Sequence, residues 1–218
     1  EAAIANGIPR VLFISSDKCV EACNLYGMSK AVAECYAVQA NSYSHPRGVR
    51  ISVVRYGNVL KSRGSVVEIW HQQCARGESL TLTDPTMTRF LLTLPQAVAF
   101  ILDALRDMEG GEVFVPRLPA ATLWTLAQAV AGSYDVPHVV TGVRPGGEKH
   151  HEALLSHEEP ARTYRVGERF TIIPSHHSWK STWARPATAE VVTQTYTSDN
   201  PARMLNVTDL AAMLEEMP

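Results

Sequence analysis

Residues 11–34, VLFISSDKCVEACNLYGMSKAVAE, decide how this chain folds. Val11 to Ser15 form a short continuous apolar run of strand length, which suits a strand covered on both faces, as in a parallel sheet between helices. The polar tetrad Ser15-Ser16-Asp17-Lys18 ends it. Residues 26–43 then read as a helix, with Met28, Val32, Cys35, Tyr36 and Val38 recurring at about helical spacing. Val49 to Tyr56 is rich in β-branched residues and reads as the next strand. Strand, helix, strand in that order predicts a βαβ unit in a parallel α/β sheet with a right-handed crossover.

Upstream, EAAIANGIPR reads as the last turns of an amphipathic helix. Gly7 is placed as its C-terminal cap, and Pro9 blocks continuation. The chain opens on Glu1 with no charged segment and apolar core of the signal-peptide kind, so a fragment lacking the first half of a domain is expected. Downstream, Val66 to Arg76 reads as a helix ending at Gly77, and Leu80 to Thr83 as a short strand. Leu94 to Met108 is an amphipathic helix with Pro95 in its first turn. Gly110-Gly111 turn into a strand over 112–115, and a helix follows over 122–134. Residues 142–169 read as loop-rich, 171–173 as a brief strand and Val207 to Met217 as a terminal helix, with Asn206 or Thr208 as N-cap.

Composition narrows the function. The chain has 218 residues, 45% of them hydrophobic and 19% charged, enough for a packed core and too little charge for disorder. Lys+Arg 20 against Asp+Glu 22 gives a net charge of -2, which argues against a nucleic-acid partner. No apolar run approaches the ~18 residues that span a bilayer. The 4 cysteines do not make a disulfide scaffold, and a cytoplasmic location is expected.

Tyr26 and Lys30 stand four apart, so a helix presents them on one face. A neighbouring cation favours the phenolate, which makes a tyrosine usable as a general base. Taken alone, the pair reads equally as two ordinary helix residues. Its position adds weight: it follows the carboxyl end of a buried strand, where ligands bind in open α/β sheets. His150-His151 and His176-His177 are adjacent pairs that cannot share a helix face, and Cys19, Cys23 and Cys35 lack C-x-x-C spacing. No metal is expected. Trp70, Trp124, Trp179 and Trp183 read as core or surface anchors, since no basic run interleaves them.

The opening stretch resembles the catalytic segment of the extended short-chain dehydrogenase/reductase superfamily. More narrowly, it is similar to the nucleotide-sugar 4,6-dehydratases of the polysaccharide biosynthesis protein group. RYGNVLKSRGSVVEIW at 55–70, LTLTDPTMTRFLLTLPQAVAFIL at 80–102, GGEVFVPRLP at 110–119 and GVRPGGEKHHEALLSHEE at 142–159 follow in the same order. The resemblance implies the C-terminal part of a Rossmann-like fold with a small substrate-binding subdomain. Residues 1–62 would complete a dinucleotide-binding domain whose Gly-rich half is absent. Residues 63–218 would mainly bind substrate, with some returning Rossmann elements.

The resemblance also implies roles. Ser16, Asp17, Lys18, Tyr26 and Lys30 would be catalytic. Tyr26, Lys30, Tyr56, Gly57, Asn58 and Val59 would meet NADP, with NAD as the alternative. Arg89 and Arg144 would hold the diphosphate of a UDP-sugar and Glu148 its nucleotide hydroxyls, while Asn58, Ser65, Thr83 and Met87 would line the substrate. Alone, Arg89 reads as an exposed arginine at a helix start, and Ser65, Thr83 and Met87 as turn or core residues. The implied reaction is dehydration of UDP-N-acetylglucosamine with C5 inversion, by a homo-oligomer when full length. Two rivals stay open: a UDP-sugar 4-epimerase of the same superfamily, which needs neither Asp17 nor Lys18, and a non-catalytic fragment that keeps the fold. The chain departs from the family with Ser16 for Thr, Cys19 for Ala, and Glu21-Ala22-Cys23 for a Pro-containing stretch.

Overall fold

A computed structural model describes residues 1–62, 64–176, 178–179 and 185–215. His177, Trp183 and Met217 lie outside the described residues. The chain divides into two units, the first made of Glu1–Tyr56, Val98–Arg117 and Ala153–Tyr196. The second comprises Gly57–Ala97, Leu118–Glu152 and the chain from Thr197 onward.

In the first unit the expected βαβ core is present. The strand Arg10–Ile14 pairs in parallel with Arg50–Val54, Val11 opposite Ile51 and Ile14 opposite Val54, and the helix Leu25–Gln39 lies between them in sequence. Val113–Pro116 extends the sheet in parallel. The sheet is not parallel throughout, however. Arg169–Ile172 joins Val113–Pro116 antiparallel and hairpins back onto Thr163–Val166, because Gly167 takes a positive φ of 57° in a turn too short for a crossover. Val54, Phe114, Ala104 and Met108 form the core between this sheet and the helical stretch after Val98, joined by Leu12, Ile14 and Phe100.

The helix at 25–39 corrects its sequence reading. Its buried residues are Gly27, Glu34 and Ala37, whereas Met28, Val32 and Tyr36 are exposed, Val32 by 70%. The apolar stripe is therefore not its packing face. A carboxylate is the packed group instead, because an ion pair inside the unit satisfies it. At the helix end, buried Asn41 brackets one residue of the adjacent strand, donating to the Ile51 carbonyl at 2.7 Å and accepting from its amide at 3.0 Å.

The second unit holds a three-stranded sheet. Asn58–Val59 runs parallel to Thr88–Leu92, which pairs antiparallel with Ala120–Thr122. Leu80–Leu82 and His138–Val140 form a separate parallel pair. The helices Val66–Ala75, Leu123–Ala131 and Val207–Glu215 bury Trp70, Leu126 and Leu210 against Leu80, Leu82 and Met87. Trp70 is wholly buried with its indole N–H on the Thr81 carbonyl at 2.9 Å. The region expected to be loop-rich carries the strands Ala153–Leu155 and Thr163–Val166. Such strands of three or four residues are too short to show a period of two.

Candidate active site

The first unit builds its site at the end of the strand Arg10–Ile14. The Ser15 amide donates to the Val54 carbonyl at 2.8 Å and the Asp17 amide to the Tyr56 carbonyl at 3.0 Å, so the polar tetrad continues the ladder past the strand. Ser16 stays extended and caps the single helical turn Asp17–Cys19, its Oγ accepting from the Lys18 amide at 3.3 Å. That hydroxyl donates to Asp17 Oδ1 at 2.7 Å, and Lys18 Nζ reaches the same oxygen at 3.0 Å. The Asp17 side chain has no exposed surface, while that of Lys18 is 36% exposed. A buried carboxylate thus meets an ammonium that lies at the rim.

Tyr26 and Lys30 come from the helix Leu25–Gln39, whose Asn24 cap accepts from the Gly27 amide at 2.9 Å. Tyr26 is 55% exposed. Lys30 Nζ donates to the Ile14 carbonyl at 3.2 Å and lies 5.9 Å from the Tyr26 ring centroid. Gly27 makes this approach possible, since a Cβ there would sit 2.2 Å from the Lys18 carbonyl oxygen. Tyr56 is half-buried, and burial first, then the Tyr26 phenol beside it, raises its pKa. Ser16, Asp17, Lys18, Tyr26, Lys30 and Tyr56 all belong to this unit.

Sequence reasoning missed the group beneath them. Arg55 is buried, and all five of its N–H donors are engaged. Nε and one terminal nitrogen grip the two oxygens of Glu34; the terminal nitrogens reach Glu159 at 3.0 Å each, and one also donates to the Leu154 carbonyl at 2.8 Å. The Cys19 thiol donates to Glu34 Oε2 at 3.1 Å. Burial pushes that thiol up to about 12, so it remains a proton donor. Arg55 is raised further above its ordinary range: burial opposes its charge, but the carboxylates of Glu34 and Glu159 outweigh burial. The one local signal was an arginine ending an apolar strand, which has no means of reaching water from a core position.

In the second unit Arg89 is a buried strand residue, not the exposed helix-start arginine its flanks suggested. It pairs with Glu148 at 2.8 Å and lies 3.8 Å from Glu152, with the Thr88 and His150 carbonyls completing its shell at 2.8 and 3.2 Å. Arg144 is 68% exposed and stands 4.0 Å from the other Glu148 oxygen. Met87 is sealed in the core, and its sulfur accepts from Thr83 Oγ1 at 3.4 Å. Asn58 and Val59 form a strand opposite Leu91 and Leu92. Gly57 is a packing requirement here, because a Cβ would come within 2.5 Å of Phe90 Cβ. Ser65 precedes the helix Val66–Ala75, and its buried Oγ has no hydrogen-bond partner among the described residues.

The α/β fold with its parallel core strands is that of the extended short-chain dehydrogenase/reductase proteins. The model of one family in particular, described as polysaccharide biosynthesis protein, matches residues 1–174, and the chain belongs to that family. It is 38% identical over 176 residues to a UDP-N-acetylglucosamine 4,6-dehydratase (inverting) of Campylobacter jejuni, covering 80% of this chain and 52% of that protein. Identity is also 38% over 173 residues to a UDP-glucose 4-epimerase of Rickettsia massiliae, covering 78% and 50%. Among solved structures, Pen from Bacillus thuringiensis superposes with a TM-score of 0.85 at 28% identity, covering 99% of this chain and 65% of that one. The chain spans about half the length of the curated relatives it matches.

Proposed function

We propose that this chain carries the acid–base groups of a nucleotide-sugar 4,6-dehydratase, acting on UDP-N-acetylglucosamine with inversion at C5 in polysaccharide biosynthesis. The observation that carries it is the Lys18–Asp17 hydrogen bond of 3.0 Å. Elimination across C5 and C6 needs a base at one carbon and an acid at the oxygen of the other. Moving one proton along that bond turns the ion pair into a neutral amine beside a neutral carboxylic acid, which are those two groups. The amine of Lys18 then takes the C5 proton as the C6–O bond breaks, and Asp17 gives its proton to the leaving oxygen. Water leaves, the C5–C6 double bond forms, and the original ion pair is restored.

C5 is acidic only once C4 is a ketone. Tyr26, with Lys30 beside it, takes the proton of the 4-hydroxyl, and Ser16 steadies the 4-oxygen by hydrogen bonding. A bound nicotinamide, NADP on this reading, supplies the two-electron acceptance at C4 and return at C6 that leave the overall reaction redox-neutral. The donor set fits it: an ammonium has three N–H groups, of which the Ile14 carbonyl takes one, and a ribose diol suits such a group. Tyr26, Lys30 and Tyr56 are the first-unit residues that would hold it. In the second unit we assign the diphosphate to Arg144, whose exposed planar donors match phosphate oxygens, with buried Arg89 behind it holding Glu148. Residues 1–62 are accordingly the catalytic and cofactor part and 63–218 mainly the substrate part, in a cytoplasmic homo-oligomer.

The test is incubation with UDP-N-acetylglucosamine and NADP in deuterated water, followed by product analysis. A 4-keto-6-deoxy sugar with deuterium at an inverted C5 supports the assignment. A product that keeps its C6 oxygen makes the protein a 4-epimerase, the second reading, which the name of the Rickettsia relative favours. Absence of NADP binding by calorimetry would point to a non-catalytic fold instead.

A further inference from the structure

The buried cluster under the site has an asymmetry that suggests a task. Glu34 follows Lys30 by four residues, so the two share a helix face. Arg55 holds Glu34 through both carboxylate oxygens, and a bidentate grip sets direction as well as distance. The rotation of the helix that carries Tyr26 and Lys30 is thereby tied to the strand Arg50–Val54, of which Arg55 is the continuation. The turn carrying Asp17 and Lys18 is tied to the same place twice. Its first residue donates its amide to the Tyr56 carbonyl at 3.0 Å, and its last, Cys19, donates its thiol to Glu34 at 3.1 Å. Glu159 secures Arg55 from the opposite side and accepts the Ser156 amide at 2.8 Å.

We propose that Cys19, acting through Glu34 and Arg55, is a positioning residue that holds the Asp17–Lys18 turn in register with the Tyr26–Lys30 helix. Its chemistry rests on the dehydratase assignment above; its geometry does not. Only the thiol is removed by Cys19→Ala, which leaves the Arg55 cluster charged and paired, whereas a change at Arg55 would take the bidentate cation from buried Glu34 and leave Glu159 to Arg162 at 3.6 Å.

Amide hydrogen exchange on the ligand-free protein reads the link directly. In Cys19→Ala the amides of Asp17, Lys18 and Cys19 should exchange about tenfold faster, the scale of one hydrogen bond to a charged group, while those of Ile51 to Val54 keep their rates. Cys19→Ser, which restores a donor to Glu34, should return to within about twofold of the original protein. In turnover, Cys19→Ala should lower kcat for dehydration about tenfold at unchanged KM, because a displaced acid–base pair slows proton transfer without touching the nucleotide. Unchanged exchange in the turn, or equal acceleration in turn and strand, overturns the proposal. So does a serine variant that behaves like alanine. Should the unmutated protein give no dehydrated product, the dehydratase assignment fails while the exchange rates still decide the positioning role.

Discussion

Asp17 and Lys18 share one hydrogen bond yet differ in exposure, and this difference lets their tasks be separated. Lys18→Ala should abolish solvent deuterium uptake at C5 and elimination together, with the absorbance of reduced nicotinamide still appearing on mixing with substrate. Asp17→Asn should give the same signal and block loss of the C6 hydroxyl, because an amide is a poor proton donor. Rate losses of about 10²–10⁴ are the usual scale for one acid or base, and full dehydration by either variant would remove that residue from the chemistry. The two arginines of the second unit should divide differently. Arg144 is exposed, so Arg144→Ala should leave the denaturant midpoint almost unmoved while UDP affinity, measured by calorimetry, falls about tenfold to a hundredfold. Arg89→Ala should lose about 3–5 kcal/mol of stability, since it removes the buried cation between Glu148 and Glu152 and leaves them the looser contacts of Arg144 at 4.0 Å and Lys149 at 3.7 Å. Equal destabilisation by both would mean that Arg144 is structural.

Among the elements, the helix Leu25–Gln39 depends on one missing Cβ. A glycine in a helix ordinarily weakens it by about 1 kcal/mol relative to alanine. At Gly27 the sign should reverse, because the added methyl group would enter the Lys18 carbonyl at 2.2 Å. Gly27→Ala is expected to cost about 1–3 kcal/mol and, by moving Tyr26 away from the turn, about 10² in kcat. Thermal unfolding together with turnover checks this; a variant more stable than the original and fully active contradicts the close packing. The helix beginning at Leu94 shows the opposite case, where local sequence suffices. Thr93 and Gln96 form a reciprocal cap, each side chain accepting from the other's amide at 3.3 and 2.8 Å, a pattern written in adjacent residues.

At the scale of the whole molecule, the Arg55 cluster makes stability depend on acid. Burial raises the pKa of Glu159, but the charge and hydrogen bonds of Arg55 lower it more, so the net value lies below the ordinary 4.5. A carboxylate held below its unfolded pKa stabilises the fold above that value and loses its contribution as pH falls through the folded one. The stability gap between the native protein and Glu159→Gln should accordingly be widest near neutrality and narrow below about pH 4.5. Urea unfolding across that range measures it, and a constant gap would show that Glu159 is not held by its charge. Much of this protein was decided locally. The apolar run at 11–15, the Tyr26–Lys30 spacing and the order of strand, helix and strand follow from backbone periodicity, which is a property of neighbours in sequence. The polar tetrad also declared its place, because four polar residues in a row end the apolar run. Partnerships across the chain were not decided there. Arg55 meets Glu34 and Glu159 across 21 and 104 residues, and no local pattern selects one glutamate over another at such separations. The same holds for the exposed stripe of Met28, Val32 and Tyr36, and for the antiparallel strand Arg169–Ile172 beside a parallel core. Only the tertiary path of the backbone brings those groups within reach, and a buried charge that must be paired then outranks helical periodicity in choosing which face of a helix is packed.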